Sequence, residues 1–252
     1  MVLKRKLITL GACVFAVFLV SQLPARLLFI AIPDTVAQGF GAEGTIWNGK
    51  VRIINVAGLQ LRNTEWNLAV SRLLLGQLAM NYKTRWGGGF AEGFAAASIT
   101  GNLSFADTLA SLNVAALSPL LNMPRLGGQL SLNLKQLELV DNWPRSINGE
   151  LEIRNLSAQL LESGQTDMIG NLAVSFDGTT NVDETGVTGI LRDTGGPLEL
   201  DGTIVLSAPS AYEINTRVRA RPDAPKSTRD SLRFLGAPES DGRYIFNLAG
   251  SI

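Results

Sequence analysis

The sequence predicts a mainly β protein, in which an N-terminal transmembrane helix leads into an extended, curved antiparallel β-sheet domain with one or two short helices. Three observations carry this prediction: a basic cluster ahead of an uncharged apolar run, period-two alternation that recurs along the rest of the chain, and few segments with helical periodicity. The boundaries that follow are a cytoplasmic tail over 1–6, a transmembrane anchor over 7–26 and a β-rich domain over 27–252.

The anchor rests on charge. Lys4, Arg5 and Lys6 precede Leu7 to Leu23, a stretch with no charged residue and only Thr9, Ser21 and Gln22 as polar side chains. Such a stretch matches the shortest helix that spans a bilayer, roughly 17 residues. Positive residues stay on the cytoplasmic side, so everything after Arg26 is expected in the periplasm, with Pro24 and Arg26 at the outer end. A cleaved signal peptide shares the basic start but needs small residues at two positions, and Ala25 has Leu23 two residues upstream while Ser21 has Leu19. The anchor is therefore read as retained. Leu10-Gly11-Ala12-Cys13 has the local shape of a lipidation box, yet too short an apolar run precedes Cys13.

Beyond the anchor, apolar and polar residues alternate. Ile147, Gly149, Leu151 and Ile153 interleave with Asn148, Glu150, Glu152 and Arg154, and Tyr212, Ile214, Thr216 and Val218 interleave with Glu213, Asn215, Arg217 and Arg219. Strands with one packed and one wet face read this way. Similar runs cover Leu78 to Trp86, Met168 to Phe176, Leu198 to Leu206 and Tyr244 to Leu248, and about ten strands of typical length fit the chain. The phase slips after Leu59 and Leu61, where Trp66, Leu68 and Val70 follow, and again where Leu137 and Leu139 follow Leu130 to Leu134. Each slip predicts a bulge or tight turn.

Helix signals are sparse. Phe105 to Leu112 is a weak candidate, and Ser227-Thr228-Arg229-Asp230 reads as a capping box ahead of Leu232 and Leu235, with Gly236 and Pro238 as the stop. Gly87-Gly88-Gly89 lacks the spacing, helix and lysine of a phosphate loop and is read as a flexible turn.

Composition argues against most chemistry. The chain holds 22 basic and 22 acidic residues, so no net field draws it to nucleic acid. It has no histidine, the side chain most used as a general base and metal ligand, and its single cysteine lies in the apolar run. The pairs Asp183 with Glu184 and Glu150 with Glu152 lack any sign of the shaped cleft that acid–base work needs, and are read as solvated faces. Arg217, Arg219 and Arg221 form a basic group suited to lipid headgroups or an acidic partner. No catalytic residue, metal site or cofactor is expected.

Two segments point to a family. Gly44-Thr45-Ile46-Trp47-Asn48-Gly49 follows the anchor, and Leu235-Gly236-Ala237-Pro238-Glu239-Ser240-Asp241-Gly242-Arg243-Tyr244 precedes the last strand. With the single span, they resemble the N-component family of the type II secretion system of Gram-negative bacteria, which has a Gly-x-x-Trp-x-Gly element after its anchor and a Leu-Gly-x-Pro-then-Gly-Arg element before its last strand. The resemblance marks Gly44, Trp47, Gly49, Leu235, Gly236, Pro238, Gly242 and Arg243 as structural or interaction residues. It implies a non-enzymatic, single-pass inner-membrane accessory whose periplasmic domain touches other secretion components and supports export of folded periplasmic proteins. A structural reading sits beside it: Trp47 is a core tryptophan between two turns, and Arg243 caps a hairpin or pairs with a carboxylate.

An alternative function reading starts from the abundant Leu, Ile and Val of the packed sheet face. If these line a groove wide enough for acyl chains, the domain is a periplasmic lipid-handling module with bound lipid as its partner.

Overall fold

The computed structural model describes residues 2–33, 35–56, 59–117, 126–158, 167–178 and 186–251. The chain divides into two compact units, Met1–Trp86 and Gly87–Ile252. Thirteen strands occur among the described residues, and each unit arranges its strands in chain order as an antiparallel meander.

The first unit contains helix α1 (Val2–Ser21), the short helix α2 (Arg26–Ala31), strands β1 (Ala37–Gly44), β2 (Asn48–Val56), β3 (Leu59–Leu68) and β4 (Gln77–Trp86), and a single helical turn α3 (Val70–Leu73) between the last two. Its core is Ala25, Val51 and Trp66, with Leu28, Phe29, Ile54, Leu68 and Met80 packed around them. The Phe29 ring meets Trp66 edge-on at a centroid distance of 6.4 Å. Aromatic pairs favour this geometry because a positive ring edge faces a negative π cloud. The phase slip in β3 is a bulge: pairing with β4 jumps between Arg62 and Glu65, and Asn63 adopts φ 48.

The predicted anchor differs in its bounds. Helix α1 begins at Val2, includes the basic cluster and stops at Ser21, so about fifteen uncharged helical residues remain after Lys6, roughly 22 Å at 1.5 Å per residue. Among the described residues, no helix is long and apolar enough to cross a membrane. The early stop has a local cause: Leu23 to Ala25 leave the helix to pair with the β1–β2 turn, through Ile46 N–H to Leu23 O at 2.9 Å, an isolated Pro24–Thr45 bridge and Ala25 N–H to Gly44 O at 3.0 Å.

The second unit holds β5 (Gly89–Ser98), β6 (Leu103–Asn113), β7 (Gly127–Val140), β8 (Trp143–Ala158), β9 (Asp167–Asp177), β10 (Gly186–Gly195), β11 (Leu198–Ser207), β12 (Ala211–Ala220), helix α4 (Lys226–Leu232) and β13 (Tyr244–Ser251). Leu134, Ile147 and Val187 form a buried cluster, flanked by Phe105, Leu132, Leu137, Phe176 and Leu206. The second phase slip is again a bulge, with the β7–β8 register shifting between Leu134 and Gln136. Its effect is visible in the cluster, since Leu132, Leu134 and Leu137 all reach the same core although their spacing changes from two to three.

Two helix expectations are corrected. Phe105 to Leu112 is strand β6, paired with β5 and β7. A bulge there, with Asp107 at φ 46, puts Phe105, Thr108 and Leu112 at helix-like spacing while the backbone stays extended. The C-terminal helix exists, but Pro225 stands at its N-cap and no side chain caps it. Ser227 and Thr228 lie inside the first turn, so the capping box does not form, and Gly236 at φ 112 ends the following 3-10 turn as expected. Gly87 and Gly88 turn with φ 58 and φ 78, and strand β5 follows them rather than a helix. Asp183 and Glu184 lie outside the described residues.

Candidate interaction site

The first motif builds a clamp on the end of α1. Gly44 turns at φ 84, and a Cβ on it would meet Asn48 O at 2.6 Å. At Gly49 a Cβ would lie 2.5 Å from the Trp66 ring and 2.7 Å from Thr45 O, so only glycine lets β2 pass beneath the core tryptophan. Trp47 itself is half-buried, not core. Its indole N–H donates to Val20 O at 2.8 Å, while its own carbonyl accepts from Leu68 N–H at 2.7 Å. A helix leaves its last four carbonyls without intrahelical donors, and Trp47 supplies one of them. The core tryptophan is Trp66, whose N–H donates to Ile46 O at 3.0 Å in the same turn. In the sequence, Trp66 stands out only as a residue that follows the phase slip after Leu61.

The second motif builds a lock on β13. Leu235, Gly236 and Pro238 lie in an exposed connection after α4. A turn then closes through Gly242 N–H to Glu239 O at 2.9 Å and Glu239 N–H to Arg243 O at 2.7 Å, with Gly242 at φ 78. It delivers Arg243 across β12 onto β11: the guanidinium donates to Glu199 at 2.6 Å and to Asp201, and its side chain is only 17% exposed.

Arg243 joins a charge ladder. Arg219 makes a two-pronged bond to Glu199 at 2.8 and 3.0 Å, Arg217 pairs with Asp201 at 2.9 Å, and Arg221 pairs with Asp193. The basic group expected to await lipid or an acidic partner is thus neutralised from within. Asp193, Glu199 and Asp201 are not among the residues the sequence singles out, although the pattern holds a signal for Glu199 and Asp201. Folding β11 and β12 about their connecting turn sets Glu199 opposite Arg219 and Asp201 opposite Arg217. On β8, Glu150 is exposed and Glu152 is engaged by Arg154 at 2.9 and 3.0 Å, which holds its carboxyl below the usual glutamate value. These glutamates form a wet strand face. Among the described residues, no cluster of three or more acidic, histidine or cysteine side chains is placed to hold a metal.

Along this ladder lies an open cleft of about 520 Å³, flanked by Ile190, Asp201, Thr203, Asn215, Arg217 and Ile245. Beside it runs β13, the last strand of its unit. β12 pairs with it along one side, and among the described residues no strand pairs along the other. Its sequence, Tyr-Ile-Phe-Asn-Leu-Ala-Gly-Ser, contains neither charge nor proline, the usual devices that blunt a sheet edge. Ile245 and Phe246 are 49% and 40% exposed there.

The arrangement defines a class: an antiparallel meander with a tied-down N-terminal helix, an internally neutralised charged face and an open pairing edge. The chain belongs to the family described as "Type II secretion system (T2SS), protein N", which matches residues 38–247. It is similar to the type II secretion system protein N of Vibrio cholerae serotype O1, 29% identical over 247 residues and 92% of each chain, and to that of Aeromonas hydrophila, 24% identical over 246 residues and 93% of each. No solved structure matches the chain. Membership gives the protein a role in type II secretion.

Proposed function

We propose that the protein is a non-enzymatic inner-membrane accessory of the type II secretion machine, which holds its sheet in the periplasm and receives an extended segment of another secretion component on the free edge of β13. The observation that carries this reading is that edge: eight residues, unprotected by charge or proline, with exposed Ile245 and Phe246 beside the incoming strand's path. Strand addition draws affinity from main-chain N–H and C=O groups and specificity from alternate side chains, which suits a docking contact and involves no catalytic step.

Anchoring is supported by charge and by the clamp. The uncharged part of α1 is shorter than a hydrocarbon core of about 30 Å. A bilayer thins locally around a short span at modest cost, and the basic cluster Lys4, Arg5 and Lys6 ahead of the apolar run favours a cytoplasmic N-terminus. At the other end, Trp47 ties the helix terminus to the sheet.

The reading is tested in cells by comparing a deletion strain complemented with the wild-type chain or with Asn247→Lys/Ala249→Lys, which places two charges on the edge. Export of folded cargo is expected to fall several-fold with the variant while its abundance stays at the wild-type level. Unchanged export in both the deletion and the variant would remove the proposal.

A further inference from the structure

We infer that the β3–β4 loop, residues 69–76, dips into the outer face of the same membrane that holds α1. Its apolar residues point outward: Leu74 is 90% exposed, Leu75 72% and Val70 53%. Three consecutive leucines at a loop tip are a poor match for water, and each gains by leaving it. No acidic residue lies between Ala69 and Leu78, and the one charge, Arg72, bonds Gln77 at 3.3 Å at the base of the loop. A cationic base below an apolar tip matches the order of headgroup and acyl chain in a bilayer.

Position supplies the second argument. Val20 O near the end of α1 accepts from Trp47, Trp47 O accepts from Leu68 N–H, and the loop starts at the next residue, where Ala69 N–H donates to Ala79 O at 2.8 Å. The antiparallel pairing of β2 with β3 sets Asn48 against Asn67 and Val56 against Leu59, so the loop leaves the sheet at the end where α1 is clamped, not at the far end. Half-buried Trp47 stands at that junction, a residue type enriched at the membrane–water boundary. The occupant of the leucine tip is therefore a phospholipid leaflet. The inference rests on the anchoring of α1 proposed above.

The test uses the full chain with Cys13→Ser, carrying one new cysteine at a time, labelled with an environment-sensitive nitrobenzoxadiazole dye and reconstituted into phosphatidylethanolamine–phosphatidylglycerol vesicles. Leu74→Cys reports the loop, Val17→Cys the helix, and Gln60→Cys, exposed in the same unit at the end of β3 far from the clamp, the aqueous control. The label at 74 is expected to emit at shorter wavelength than the control and to be quenched by nitroxide acyl chains several-fold more strongly. If the label at 74 behaves like that at 60 while the label at 17 is quenched, the loop inference is overturned and the anchor stands. If instead the label at 17 is aqueous, the anchor falls, and the loop inference that rests on it falls with it.

Discussion

Arg243 is the residue on which the C-terminal motif turns. It is the most protected cation of its ladder and the one that ties the root of β13 to β11, 42 to 44 residues earlier in the chain. Removing it leaves Glu199 and Asp201 with Arg219 and Arg217, so the loss stays below that of an abandoned buried charge. Arg243→Ala is expected to lower stability by about 1.5 to 3 kcal/mol, the range for hydrogen bonds to charged groups, read as a lower denaturation midpoint. Arg243→Lys, which keeps the charge without the fork, falls between. The Glu152–Arg154 pair acts differently because it is solvated. Its arginine hydrogen bond lowers the glutamate pKa, so the pair's contribution is present above the ordinary glutamate value and is lost as pH falls through the lowered folded one. A carboxyl NMR titration is expected to place the Glu152 midpoint below the ordinary value, and Arg154→Ala to bring it back up.

At the scale of elements, the strands were legible wherever alternation was intact. β4, β8, β9, β11, β12 and β13 fall on the runs that alternate. Both phase slips are real bulges, since a side-chain period of two leaves no other way to keep one face apolar. Legibility failed at β1 and β5, where Gly39, Gly41 and a row of alanines blur the pattern, and at β6, where the bulge at Asp107 imitates helical spacing. In each case cross-strand pairing outweighs local preference. The N-terminal motif was legible as a pattern but not as a mechanism. Gly49 exists for Trp66, seventeen positions further along the chain, and the two meet only through β2–β3 pairing. Gly49→Ala is therefore expected to cost about 1 to 3 kcal/mol by overpacking and to shift Trp66 emission, whereas Gly88→Ala, with nothing within 4 Å of its added carbon, perturbs no core contact.

On the scale of the whole molecule, the chain carries no net charge, no histidine and an acidic row that satisfies its own arginines. Long-range attraction and titration near neutral pH are thus poor sources of partner recognition, which leaves shape and main-chain pairing. A meander is unsatisfied at its end strands, and of β1 and β13 it is β13 that carries no charged residue on its edge. The most direct measurement is site-specific photocrosslinking in intact secreting cells, with the photoreactive residue at Asn247 and a control at Glu150 on the wet face of β8. A discrete adduct at 247 containing another component of the type II machine, absent at 150, is the predicted result. No adduct at 247, or the same adduct from both positions, contradicts edge docking.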